Sequence, residues 1–128
     1  MNAPVRLLAV DDEEQFLNTL ARLLTLRNMR VTTATSGEAA LELFEPGAFD
    51  VALVDVKMPG ISGVDLLTEL KKRDPALEVI ILTGHASVDV AAEIMSRGGS
   101  DYMLKPSPTA EVEAKIVSAM ERRKARGL

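Results

Sequence analysis

Apolar, β-rich runs alternate with helix-spaced stretches from one end of the chain to the other, and this alternation narrows the fold more than any single motif does. The runs are Leu7–Val10, Val31–Ala34, Val51–Val56, Val79–Thr83 and Tyr102–Leu104. After the first, Phe16, Leu17, Leu20, Leu23 and Leu24 recur on one helical face, with Asp12 and Gln15 spaced as a capping box and Asn28 as a C-terminal stop. A second helix over Ala40, Leu41 and Phe44 begins behind Thr35 or Ser36 and ends at Pro46-Gly47. A third, over Leu66, Leu67 and Leu70, ends at Asp74-Pro75, and a fourth, over Ala91, Ile94 and Met95, ends at Gly98-Gly99. The fifth has Ser107 as cap, Pro108 at the first helical position, and a stripe of Val112, Ile116, Val117 and Met120.

Strand-helix alternation of this kind predicts an α/β fold, a (βα)5 doubly wound parallel sheet with helices on both faces and right-handed crossovers. Leu7–Val10, Val51–Val54 and Val79–Leu82 are almost continuously apolar, as strands buried on both sides are, whereas Arg30–Thr35 alternates like an edge strand. With 128 residues, 47% of them hydrophobic, the chain is expected to form one domain over 1–128 with a core from about 5 to 120. It has no cysteine, which excludes thiolate metal sites and thiol nucleophiles. A net charge of −4 and only 3% aromatic residues argue against direct nucleic-acid binding. Nothing reads as a signal peptide or membrane span, so a cytoplasmic protein is expected.

In open α/β sheets the chemistry collects at the carboxyl ends of the strands. Asp11 and Asp12 follow the first strand, Asp55 ends the apolar part of the third, Thr83 ends the fourth, and Lys105 follows the fifth. Taken singly, most have plainer readings: Asp11-Asp12 as a helix-capping turn, Thr83 as a good strand residue, Lys105 as a solvated lysine. Asp55 is harder to dismiss, because an ionised group in a buried strand needs a partner. Three carboxylates on one rim repel each other, and one ammonium plus one divalent cation would balance them. Oxygen-only donors select a hard ion such as Mg²⁺. A rim holding Mg²⁺, an ammonium, a hydroxyl and helix N-terminal amides suits a phosphoryl group, with one carboxylate as nucleophile.

The ordered set Asp11-Asp12, Asp55 with Met58-Pro59-Gly60 and Gly63, Thr83-Gly84, and Asp101-Tyr102 with Lys105-Pro106 resembles the receiver domain of two-component response regulators over Val5 to Met120. The resemblance implies the flavodoxin-like strand order 2-1-3-4-5. It implies that Asp55 accepts a phosphoryl group from a histidine kinase or phosphotransfer protein, with Asp55, Thr83 and Lys105 as the catalytic set. It implies a Mg²⁺ site of Asp12, Asp55 and the backbone carbonyl of Lys57, with Asp11 acting mainly through water. Thr83 and Tyr102 would be the switch residues, the Lys105-Pro106 peptide would be cis, and the face of the fourth helix, fifth strand and fifth helix would carry the signal to an output domain or downstream protein. A homodimer formed on phosphorylation stays open.

Lys57 and His85, two residues after the acceptor and after Thr83, are candidates for setting the phosphate lifetime. The basic run Arg122-Arg123-Lys124-Ala125-Arg126 reads most simply as a complement to the dipole of the last helix. The main rival is a receiver-like docking module that is never phosphorylated. A Mg²⁺-dependent aspartyl-phosphate phosphatase is disfavoured because the first-strand acids are adjacent, not spaced as Asp-x-Asp, and no cap domain is present. A flavodoxin-like electron carrier is disfavoured because the loop after Val10 is acidic. No turnover on an external substrate is expected.

Overall fold

The computed structural model describes residues 3–84 and 88–127. The elements alternate as expected: β1 (Val5–Val10), α1 (Glu14–Thr25), β2 (Met29–Ala34), α2 (Gly37–Leu43), β3 (Val51–Asp55), α3 (Gly63–Arg73), β4 (Glu78–Thr83), α4 (Val88–Ser96), β5 (Asp101–Leu104) and α5 (Thr109–Ala125). The sheet is parallel in every pairing, with order β2-β1-β3-β4-β5. β2 is an edge strand, as its alternation predicted, and only its ends, Met29 and Ala34, are buried.

Alternate residues of the central strands feed two separate cores, which is what a sheet covered on both faces requires. Leu8, Val10, Ala52, Val54, Val79 and Ile81 pack with Ala40, Phe44, Leu66, Leu67, Leu70 and Ile94 of α2, α3 and α4. Leu7, Val51, Leu53, Ile80 and Leu82 pack with Leu20 and Leu24 of α1 and Val112, Ile116 and Ala119 of α5. Burying one such leucine contributes about 2–3 kcal/mol, against less than about 0.7 kcal/mol separating ordinary residues in helix propensity. The apolar stripe therefore decides where each helix lies. No helix among the described residues is long and apolar enough to cross a membrane.

Two helix starts differ from the expected ones by one residue. The N-cap of α1 is Glu13, with no side-chain cap bond, because Asp11 Oδ1 accepts the Glu13 amide at 2.9 Å and closes the turn before the helix begins. The Asp12–Gln15 capping box does not form, and Asp12 is left exposed on the rim. At α5, Pro108 occupies the cap and Thr109 the first turn, since the Ser107 hydroxyl donates to the Leu104 carbonyl instead. Asn28 takes φ 63° after α1 as its expected stop, and Ser36 caps the start of α2 through the Ala39 amide; α2 ends at Leu43, with Phe44 already extended, short of the expected stop at Pro46-Gly47.

The C-terminal basic run does more than complement a helix dipole. Arg122 and Arg126, one turn apart, pair with Glu78 at 3.1 and 2.5 Å, although Glu78 opens β4 and is 3% exposed. Arg123 donates to the Ala76 carbonyl and lies 3.6 Å from Asp50, which also pairs with Arg6 at 2.9 Å. Burial pushes the Asp50 carboxyl up, but the Arg6 hydrogen bonds and charge bring it below the usual carboxylate range. The end of the sheet opposite the candidate site is thus closed by ion pairs.

Candidate functional site

The strand ends deliver the predicted side chains to one rim. Asp11 follows β1 and its amide extends the β1–β2 ladder onto the Ala34 carbonyl, which fixes the carboxylate in place. Asp55 is the last residue of β3, a strand buried throughout, and is 6% exposed. Thr83 closes β4 and is 4% exposed; the amide of Lys105, directly after β5, donates to its carbonyl at 2.9 Å. Asp55 and Lys105, with exposed Asp12 and Glu13, line a cleft of about 470 Å³ at this rim, together with Phe16, Lys57, Gly84 and Pro106. The Lys105–Pro106 peptide is cis. Tyr102, on β5, pairs in register with Ile81 of β4 and is half-buried against the α2–α4 core. Lys57 lines the cleft, exposed; His85 lies outside the described residues.

Close packing brings α3 onto this rim. A Cβ at Gly63 would lie 2.1 Å from the Asp55 carbonyl oxygen and 2.8 Å from the Asp55 carbonyl carbon, so the first turn of α3 sits directly on the acceptor strand. The Gly63 amide donates to the Val56 carbonyl at 2.9 Å. Glu38, in the first turn of α2, accepts the Ile61 amide at 3.1 Å and ties down the loop between β3 and α3. At Gly60, φ is 77° and the Glu38 carboxylate fills the space where a Cβ would stand.

One carboxylate oxygen each from Asp11, Asp12 and Asp55 lie within 4.8 Å of one another. Asp11 Oδ2 is buried and lies 2.7 Å from the Lys105 ammonium. Three carboxylates whose oxygens converge in this way, with no nitrogen or sulfur donor in the group, form a donor set that fits a hard dication such as Mg²⁺. Burial and the neighbouring Asp11 carboxylate push Asp55 up to about 6, with Lys105 pulling the other way and Asp12 and Glu13 adding to the rise. Burial lowers the Lys105 ammonium, but its contacts with Asp11 and Glu13 more than offset this and hold it above the usual lysine range.

Glu13 is the site residue that sequence reasoning missed. Its Oε1 accepts from Lys105 Nζ at 2.6 Å, while Asp55 Oδ2 is 3.9 Å from the same nitrogen. The Phe16 ring lies under the ammonium, 4.5 Å from centroid to Nζ. The balance of three acids against one lysine and one dication is therefore short by one carboxylate. The signal was present in the unbroken acidic run Asp11-Asp12-Glu13-Glu14, of which only the first two were given roles.

Residues 7–117 match the response regulator receiver domain family. The chain belongs to that family. Among curated relatives, the receiver is 37% identical over 113 residues to the transcriptional regulatory protein FixJ of Azorhizobium caulinodans, covering 88% of this chain and 54% of FixJ. The chain thus spans about half the length of that relative. Among solved structures, a response regulator receiver domain protein from Clostridium thermocellum is 36% identical with a TM-score of 0.89, over 94% of this chain and 98% of that one. A response regulator from Burkholderia pseudomallei, described with a phosphorylated aspartic acid, a calcium ion and citrate, is 30% identical with a TM-score of 0.82, over 95% of this chain and 72% of that one.

Proposed function

We propose that this receiver domain is a phosphoryl switch in which Asp55 takes PO₃ from a phosphohistidine on a sensor kinase or phosphotransfer protein of the cytoplasm. The observation that carries the reading is the placement of Asp55 at the end of a fully buried strand, within one rim that also holds Asp11, Asp12, Thr83 and Lys105. Asp11, Asp12 and Asp55, with the Lys57 carbonyl that the family resemblance implies, would hold Mg²⁺. A bound Mg²⁺ supplies charge neutralisation for the acidic rim and for the phosphoryl oxygens. The relative from Burkholderia pseudomallei, with its phosphorylated aspartic acid and calcium ion, supports the same assignment.

Asp55 Oδ attacks phosphorus as the N–P bond of the donor breaks and its electron pair returns to the imidazole. Although raised, the Asp55 carboxyl is ionised at neutral pH and remains a nucleophile. The Lys105 ammonium then pairs with a phosphoryl oxygen and the Thr83 hydroxyl donates to another. Hydrogen bonds of that charged kind contribute about 1.5–3 kcal/mol each, so two of them approach the ~5.5 kcal/mol that reverses a two-state population. Movement of Thr83 opens space for Tyr102, and the α4-β5-α5 face passes the change to an output domain or downstream protein. No outside substrate is turned over.

Borohydride reduction tests the assignment. After treatment with a small acyl phosphate and Mg²⁺, an aspartyl phosphate is reduced to homoserine, and peptide mapping is expected to place that residue at position 55. Homoserine at position 11 or 12 would move the acceptor.

A further inference from the structure

Three carboxylates share the Lys105 ammonium at the rim, and the acceptor is the most distant of the three. Lys105 Nζ is 2.7 Å from Asp11, 2.6 Å from Glu13 and 3.9 Å from Asp55. Asp11 is held by the Glu13 amide and by the sheet, so its position is set by backbone. Glu13 differs: its side chain is 66% exposed, and it reaches Lys105 from the N-cap of α1. The Phe16 ring lies beneath the ammonium, 4.5 Å from centroid to Nζ, and Asp55 Oδ2 stands 3.9 Å from it.

We propose that Glu13 is a positioning residue that draws Lys105 off Asp55 in the unphosphorylated domain, so that an incoming phosphoryl group must displace the Glu13 carboxylate from the ammonium. This rests on the reading of Asp55 as acceptor. In the transfer, the new bond joins Asp55 Oδ to phosphorus. The bond broken is the P–O bond of an acyl phosphate donor, which leaves as a carboxylate with the electron pair. Lys105 exchanges one anionic partner, Glu13, for another, the PO₃ oxygens, and neither gains nor loses a proton. Hydrolysis reverses the exchange: water attacks phosphorus as the Asp55 Oδ–P bond breaks, the Asp55 carboxylate keeps the electron pair, the protons of the water pass to inorganic phosphate and solvent, and Glu13 recaptures the ammonium. Glu13 therefore slows loading and shortens the life of the loaded state together.

The test uses the full chain with a small acyl phosphate and excess Mg²⁺, following loading and decay by intact mass. Glu13→Gln and Glu13→Ala are each expected to load about two- to fivefold faster and to lose phosphate more slowly by a similar factor, the scale of an exposed ion pair. In a Lys105→Met background the same Glu13 substitutions are expected to change neither rate. Acceleration that persists without Lys105 would assign the effect to repulsion between Glu13 and the donor, and unchanged rates in the single variants would remove the role altogether. Thermal melting of each variant separates a helix-capping defect, which lowers the melting temperature equally with or without Lys105. Absence of any adduct in the wild type would overturn the acceptor reading, whereas an adduct formed at wild-type rates in the Glu13 variants overturns only this inference.

Discussion

Replacing Asp55 by asparagine is expected to stabilise the metal-free domain at pH 7 by on the order of 1–2 kcal/mol, after allowance for solvent screening at the open rim. The folded carboxyl is pushed up to about 6 from an ordinary 3.8, by burial first and by the Asp11 charge next. Between those two values the native state binds the extra proton, so this group's contribution to stability is whole below pH 3.8 and is lost as pH rises through 6. Asparagine carries no such penalty, and the gap between variant and wild type should close below about pH 4. Excess Mg²⁺ should reverse the order at neutral pH, because a ligand that binds only the folded wild type adds RT ln(1 + [L]/Kd). Urea unfolding of both proteins, at both pH values and with and without Mg²⁺, checks the whole pattern. A variant less stable than wild type at pH 7 without divalent ion would contradict it.

Gly63→Ala should be the most damaging glycine-to-alanine substitution among the described residues. Its Cβ would stand 2.1 Å from the Asp55 carbonyl oxygen and 2.8 Å from both the Asp55 carbonyl carbon and the Val56 Cα. All three are backbone atoms, so no side-chain rotation relieves the contact, and either α3 or the end of β3 must move. Overpacking that displaces backbone costs about 3 kcal/mol or more. The displaced strand end carries Asp55, so phosphate acceptance should fall with stability. Gly84→Ala, where nothing among the described residues lies within 4 Å of an added Cβ, should stay within about 0.5 kcal/mol of wild type in the same urea titration.

The parts of the molecule that were legible in the sequence are those set by local period and by strand order. The apolar runs located β1, β3 and β4, their two-sided burial followed from their unbroken apolar character, and the residues just past each run marked the rim. Asp55 stood out because a buried strand seldom ends on an ionisable group unless something nearby takes up its charge. What escaped are pairings between charges far apart in sequence, whose partners are chosen by three-dimensional register and leave no periodic trace. Glu13 meets Lys105 across 92 positions, Arg122 meets Glu78 across 44, and Glu38 reaches the Ile61 amide across 23. The start of α1 slipped for a related reason: with four acids in a row, which one closes the turn depends on where β1 leaves Asp11, not on capping preference alone.

A divalent cation gathered by Asp11, Asp12 and Asp55 should let one Asp55 oxygen take a phosphoryl group, and every other functional role assigned to the rim depends on that step. Intact mass after incubation with a small acyl phosphate measures it most directly, on wild type and Asp55→Asn, with Mg²⁺ and with excess chelator. One PO₃ adduct on the wild type in Mg²⁺, and none in chelator or in Asp55→Asn under either condition, is the predicted result. An adduct retained in Asp55→Asn, an adduct formed equally in chelator, or a wild type that stays unmodified in Mg²⁺ would contradict it.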